Sequence, residues 1–181
     1  MFYRIRDNKI YDYSQGKYAD DCLETNIITQ EELTKNPDKV IIKNGKLAPN
    51  PNWSTIELQQ AKENKLNEAL EGAKNFIENE ACFQFDKTNS IEATDGNIGK
   101  LTAYALGFQT GQFDEVEWTS KEDNVITLNQ EALLTVLMGL GAIQSNVWNV
   151  QYVGYKTQIE QAETVEAVNE IEVNYDNNIN L

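Results

Sequence analysis

Apolar and polar positions alternate in short stretches at the start of the chain. As far as Tyr18 the apolar positions are mostly aromatic, and turn-forming pairs at residues 7–8 and 15–16 interrupt them. Successive side chains of a strand point to opposite faces, so a period of two that is broken by turns predicts a meander of short strands.

Two local signals follow the meander. Thr29 and Glu32 have the spacing of a capping box, which predicts a helix of about two turns that ends before Pro37. Asn44-Gly45 lies between two apolar stretches and predicts a β-hairpin, because both residues tolerate the positive φ of a type I′ turn. Residues 1–50 are therefore predicted to form a small β-rich module.

The proline-rich stretch at residues 49–52 predicts a boundary. Directly after it, Ser54 and Glu57 have the spacing of a second capping box, and an apolar stripe at helical spacing continues to about Asn79. The first turns of this helix are nearly all polar. We therefore predict that residues 51–80 form a connector helix whose second half packs on the following domain.

Residues 81–165 are predicted to form an α+β domain. Phe83 and Phe85 alternate with polar residues as in a strand, and Asp95 is a candidate N-cap for a helix over residues 96–108. Two further strands, with Trp118 in the first, surround a polar turn at residues 121–124. The fold class predicted for the whole chain is therefore α+β.

A long helix is predicted from its N-cap, Asn129, to about Ala162. Its apolar side chains form two stripes, and at about 1.5 Å per residue it would reach ~50 Å, longer than a small domain needs. One interpretation is that its distal part binds another chain, and the other is that it packs within the chain against the connector helix. The candidate partner-binding residues are Trp148, Tyr152, Tyr155 and Ile159.

The last segment, residues 166–181, is acidic and rich in Asn. A short helix is expected near its start. Beyond this helix we expect a partly disordered tail, because chain ends are poorly ordered unless they are tied down.

The net charge of the chain limits the classes of partner that it is predicted to bind. The chain of 181 residues has a formal net charge of −14; residues 1–100 carry 13 basic and 17 acidic side chains, and residues 101–181 carry 2 and 12. Such a field repels phosphate backbones and anionic lipid, so neither nucleic acid nor a membrane is a predicted partner. The acidic surface is typical of a protein kept soluble by its charge.

Catalytic chemistry is not indicated. The sequence contains no His, which removes the commonest general base and metal ligand, and its two cysteines, Cys22 and Cys82, stand alone. A calcium loop beginning at Asp86 is rejected, because Ile91 and Asn97 occupy the positions of the essential Gly and Glu. We predict a protein that is not an enzyme and has no catalytic, cofactor-binding or metal-binding residues.

The residues at the N-terminus predict the cellular compartment of the chain. It carries charged residues where a signal peptide needs an apolar core, and no run of about 18 apolar residues occurs. The chain is expected to remain in the cytoplasm or in a particle assembled there, with its cysteines reduced.

Several segments together resemble a known family. They are KLNEALEGAKNFIENEACFQFD, the helix start at Asp95, EVEWTSKEDNVITLNQEALLTVL and, nearer the N-terminus, ITQEELTKNPDKVIIKNGKLAPNP. This order of elements resembles domain-of-unknown-function family 4376, which occurs in bacteriophage and prophage proteins labelled as tail-fibre assembly or tail proteins. The resemblance covers most of the chain and brings no catalytic residues with it.

The resemblance implies a chaperone or adaptor in tail-fibre assembly, located in the cytoplasm of the bacterial host. Its partner would be a phage tail-fibre or tail protein, and the long helix could also join copies of the chain into a homo-oligomer. One alternative is a structural tail or tail-fibre subunit retained in the virion. Another, from the charge, is an acidic inhibitor of a host defence protein.

Overall fold

The computed structural model describes residues 1–17 and 19–178. Its fold is α+β, as predicted, with small antiparallel sheets and a long C-terminal helix. The chain divides into two compact units, Met1–Ala61 (unit 1) and Lys62–Leu181 (unit 2). Unit 1 contains 8 basic and 9 acidic residues and unit 2 contains 7 and 20, so nearly all of the net negative charge belongs to unit 2.

Unit 1 begins with the predicted strand meander. Its strands are β1 (Phe2–Arg6), β2 (Lys9–Ser14) and β3 (Leu23–Glu24), in the antiparallel order β2-β1-β3. The turn between β1 and β2 uses Asp7 and Asn8 at positive φ. Tyr18, which the alternation placed in the meander, lies outside the described residues.

The two local signals of unit 1 are confirmed. Thr29 caps α1 (Gln30–Lys35) in a complete capping box with Glu32, and a 3₁₀ turn at Pro37–Lys39 follows. Strands β4 (Val40–Lys43) and β5 (Lys46–Pro49) form the hairpin, with Asn44 and Gly45 at positive φ. The elements of unit 1 enclose a small core of Tyr3, Ile28, Leu33, Val40 and Leu47.

Helix α2 (Trp53–Asn79) matches the predicted connector in extent. It begins at Trp53, so Ser54 lies in its first turn and is not the N-cap that we predicted; the carbonyl of Asn52 accepts the first helical bond, from Ile56. The division between the units falls inside α2, after Ala61, and not at the proline-rich stretch. In unit 2 the helix buries Ala69, Ala73, Phe76 and Ile77, all on the predicted stripe.

Strand β6 (Cys82–Gln84) pairs with β7 (Ser90–Glu92), a strand that the periodicity did not predict. Helix α3 (Asp95–Gln109) follows. Its N-cap is Thr94, whose side chain accepts a bond from Asn97 N, so the assignment of Asp95 as N-cap was wrong by one position. Asp95 instead accepts a hydrogen bond from Gln144.

The remaining elements agree closely with those predicted from the sequence. Strands β8 (Glu115–Thr119) and β9 (Val125–Asn129) form a hairpin, and Asn129 caps α4 (Gln130–Asn146) through Ala132 N. A π-helical segment (Val147–Tyr152) and α5 (Val153–Gln161) continue it, and the short α6 (Val165–Asn169) ends the helical part. Residues from Gln130 to Gln161 thus form the predicted long helix without a break.

The core of unit 2 lies between α2, α3, the two hairpins and the long helix. Its fully buried side chains include Ile91, Leu101, Leu128, Leu133, Val136, Leu140 and Val147. Phe83 and Phe85 are half-buried against this cluster, and Trp118 packs edge-on to Tyr104. The long helix therefore has one face inside unit 2 for the length of α4.

Candidate partner-binding surface

The π-helical segment changes which side chains of the long helix face the core. In an uninterrupted α-helix, Val147 and Ile159 would point about 120° apart. A π turn holds more residues than an α turn because its hydrogen bonds run five residues along the chain, so each residue rotates less. The resulting lag reduces this angle, and both side chains are fully buried.

The predicted partner-binding residues lie at and after this segment. Ile159 is 0 % exposed inside unit 2, so a role in contacting a partner does not fit it. Trp148 and Tyr152 are half-buried and pack edge-on, with ring centroids 5.8 Å apart. Tyr155 packs on Tyr175 in the same way, at 5.3 Å. Packing within the chain, the alternative interpretation, therefore accounts for Ile159. It also accounts for the buried parts of Trp148, Tyr152 and Tyr155.

Tyr155 and its neighbours hold a segment that we call the C-terminal strap, residues 173–178. The hydroxyl of Tyr155 donates to Asn174 O and accepts from Asn174 N at 3.0 Å. Gln151 Nε2 donates to Asp176 O at 2.9 Å, and Asn146 Nδ2 donates to Asn178 O at 2.6 Å. The strap therefore differs from the partly disordered tail that we expected; residues 179–181 lie outside the described residues.

The opposite side of the strap faces α2. Tyr175 is buried, donates its hydroxyl to Ala69 O at 2.7 Å and packs near Phe76. Gly72 leaves room for the ring, since a Cβ atom there would lie 3.2 Å from Tyr175 Cε2. Burial, followed by the nearby Tyr155 and Tyr152, raises the pKa of Tyr175 to about 12. This ring is therefore the anchor of the strap.

The solvent side of the long helix carries large apolar side chains. We call them the exposed stripe: Leu134 (42 % exposed), Met138 (77 %), Val150 (63 %) and Val153 (48 %). Leu134 and Met138 are four positions apart and Val150 and Val153 are three apart, so the two members of each pair lie on the same side of the helix. The small or polar residues Gly141, Ser145 and Asn149 lie between the pairs and are also exposed. Each pair is a small patch of exposed apolar surface, and such patches are candidate protein–protein contacts.

Length and composition alone would allow this helix to cross a membrane. Its most apolar window of 18 residues has a mean hydropathy of 1.2. The core helix of a globular domain meets the same criterion, and α4 buries Leu133, Val136, Leu140 and Ile143 within unit 2. The apolar character of the helix is thus shared between a core face and the exposed stripe.

The carboxylates near the rejected calcium loop form a hydrogen-bond network between two hairpins. Asp86 accepts bonds from Asn89 and Thr88, which lower its pKa. Glu122, from the turn between β8 and β9, accepts from the Ser90 hydroxyl and from Ser90 N at 2.8 Å, and these bonds lower its pKa to about 2. Across residues 1–17 and 19–178, no three His, Cys, Asp or Glu side chains are grouped to hold a metal ion. The network joins the hairpins.

Unit 1 has a separate groove of about 690 Å³ between β2, α1 and β4. Apolar side chains, including Ile10, Leu33, Val40 and Leu47, form much of its lining. The hydroxyl groups of Tyr13 and Thr34, two of the lining residues, form a hydrogen bond of 3.2 Å. Leu33, Val40 and Leu47 belong to the small core of unit 1 and Ile10 packs against it, which accounts for the apolar part of the lining.

Comparison with known proteins adds no relative. No family model matches the chain, and no curated protein and no solved structure matches it. The resemblance to family 4376 therefore rests on the sequence motifs alone. Sequence reasoning missed the strap, although the alternation of Ile171, Val173 and Tyr175 with polar residues was a signal for an extended segment with one apolar side.

Proposed function

We propose that this chain is a non-enzymatic bacteriophage or prophage protein that acts in tail-fibre assembly as a chaperone or adaptor. Two features support the proposal: the motifs that resemble family 4376, and the exposed stripe. The stripe is the observation that carries it. Apolar side chains that are 42–77 % exposed on a rigid, core-packed helix form a ready surface for apolar segments of another protein.

The charge of unit 2 suits the same role. A chaperone that covers apolar fibre surface must keep the complex in solution until assembly is finished. Unit 2 carries 20 acidic and 7 basic side chains, so complexes that contain it repel one another. The stripe would supply affinity for the fibre, and the surrounding charge would oppose aggregation.

The test is co-expression of the chain with a tail-fibre gene of the phage or prophage that encodes it, with the yield of soluble, trimeric fibre as the readout. We expect Met138→Glu to lower the yield, because it places a charge in the exposed stripe. Thr102→Glu, an exposed substitution on α3 that introduces the same charge, is the matched control and should leave the yield unchanged. Equal fibre yield and trimerisation with and without the chain would contradict the proposal.

A second measurement distinguishes an assembly factor from a structural tail subunit. Mass spectrometry of purified phage particles should detect the fibre and not this chain, since a chaperone leaves before the particle is complete. A stoichiometric amount in the particle would instead support a subunit retained in the virion.

A further inference from the structure

The C-terminal strap is held through its backbone at every second residue. Gln151 uses both ends of its side-chain amide: Nε2 donates to Asp176 O at 2.9 Å, and Oε1 accepts from Asp176 N at 3.1 Å. Tyr155 makes the same pair of bonds to Asn174 with its hydroxyl, and Asn146 donates to Asn178 O. None of these bonds depends on the side chains of the strap.

The spacing of the three binding residues matches an extended peptide. Two residues of extended chain advance about 6.6 Å, and the same advance along an α-helix takes about four to five residues. Asn146, Gln151 and Tyr155 have this spacing along the long helix, and they contact positions 178, 176 and 174 in turn. Any extended segment laid antiparallel to the helix can make these bonds.

The side chains that point the other way set the specificity. Tyr175 fills the space above Gly72 and reaches Ala69 O with its hydroxyl. Asn177 Oδ1 accepts a hydrogen bond from Cys82 N at 3.2 Å. The site that the strap occupies, with the long helix on one side and α2 and β6 on the other, is therefore a groove that fits a Tyr-x-Asn sequence in an extended conformation.

The strap and the residues just before it are acidic, like the rest of unit 2. Residues 170–178 include three acidic residues, Glu170, Glu172 and Asp176, and the rest of unit 2 has a net charge of −10. An extended segment with the same inward side chains but neutral or basic residues at these positions avoids this repulsion. An open groove of about 610 Å³, lined in part by Val150, Gly154 and Gln158, runs beside the strap and leaves its outer side accessible.

We propose that the groove between α2 and the long helix is a binding site for a neutral or basic extended Tyr-x-Asn segment of a partner protein. The chain's own strap occupies this site until the partner segment replaces it. The proposal goes beyond the role in fibre assembly, because it concerns the site that holds the strap, where Val150 is the one exposed-stripe residue in the adjoining groove, and needs no fibre for its test.

The test uses the purified full chain and a fluorescent peptide with the sequence of residues 170–178, in which lysine replaces the three acidic residues. Fluorescence anisotropy should show binding to the wild-type chain, and at least tenfold tighter binding to Asn177→Ala, which weakens the strap without opening the core. The same peptide with alanine in place of its tyrosine should not bind. Gln151→Ala, introduced into the Asn177→Ala chain, should weaken binding about tenfold.

Hydrogen exchange on the wild-type chain provides a second measurement. The amide protons of Asn174 and Asp176 should exchange faster when the peptide is added, because the strap leaves the groove. Unchanged exchange, or equal affinity for the peptides with and without tyrosine, would overturn the proposal. A wild-type dimer that dissociates in Asn177→Ala would assign the groove to a second copy of the chain, and would also overturn it.

Discussion

Gly139 of α4 lies against the aromatic ring of Phe83 in β6. A Cβ atom at Gly139 would overlap ring atoms Cδ2 and Cε2 of Phe83 and would lie 2.9 Å from its Cγ. The ring is half-buried against the core of unit 2, so moving it away would cost it packing there. The absence of a side chain at position 139 therefore sets how closely β6 approaches the long helix.

This contact predicts different outcomes for two glycines of the same helix. Gly139→Ala and Gly141→Ala both gain about 1 kcal/mol of helix propensity. A Cβ atom at Gly141 meets no atom within 4 Å, whereas one at Gly139 overpacks the core. We expect Gly139→Ala to be less stable than Gly141→Ala by about 1–3 kcal/mol in urea denaturation. Equal stability of the two variants would show that Phe83 can move aside.

A second pair of substitutions tests the burial of the distal helix. Ile159 is 0 % exposed and Val153 is 48 % exposed, although both are β-branched residues of α5. Ile159→Ala should cost about 2–5 kcal/mol, because it leaves a cavity in the core. Val153→Ala should change the free energy of unfolding by no more than about 0.5 kcal/mol. A small effect at Ile159 would restore it as a candidate partner-binding residue.

The pH dependence of stability should reveal Glu122. Its pKa in the folded chain is lowered to about 2 from the ordinary 4.5, so its bonds to Ser90 stabilise the fold above pH 4.5. That stabilisation is lost as the pH falls from about 4.5 through 2, where the folded carboxylate takes up a proton. Denaturation midpoints of the wild type and Glu122→Gln should therefore differ at pH 7 and converge near pH 2. Glu117→Gln, an exposed change in β8, removes the same charge and is the matched control.

Asn129 provides a test of the N-cap of the long helix. Its side-chain oxygen accepts from Ala132 N at 2.9 Å, which satisfies a donor that the helix itself leaves unpaired. Asn129→Ala should lower the free energy of unfolding by about 1 kcal/mol, whereas Asn129→Asp keeps the acceptor and should be close to the wild type. Thermal denaturation followed by circular dichroism distinguishes these outcomes.

The elements that the sequence predicted correctly depend on bonds between near neighbours. Thr29 and Glu32 cap each other across three residues, and Asn44-Gly45 forms its turn without help from distant residues. Strand β7 was missed because its residues, Ser90 to Glu92, show little alternation and are held by β6 and by Glu122. The N-cap at Thr94 was missed because two acceptable capping residues, Thr94 and Asp95, are adjacent.

Sequence alone determined that the long helix exists, where it begins and that it carries more apolar surface than one core needs. Only the tertiary structure decided how that surface is divided. Ile159, beyond the π-helical segment, is fully buried, Tyr155 holds the strap, and Met138 remains exposed. Helical periodicity reports which residues share a face, but whether a face is covered depends on segments distant in sequence, here α2 and residues 173–178.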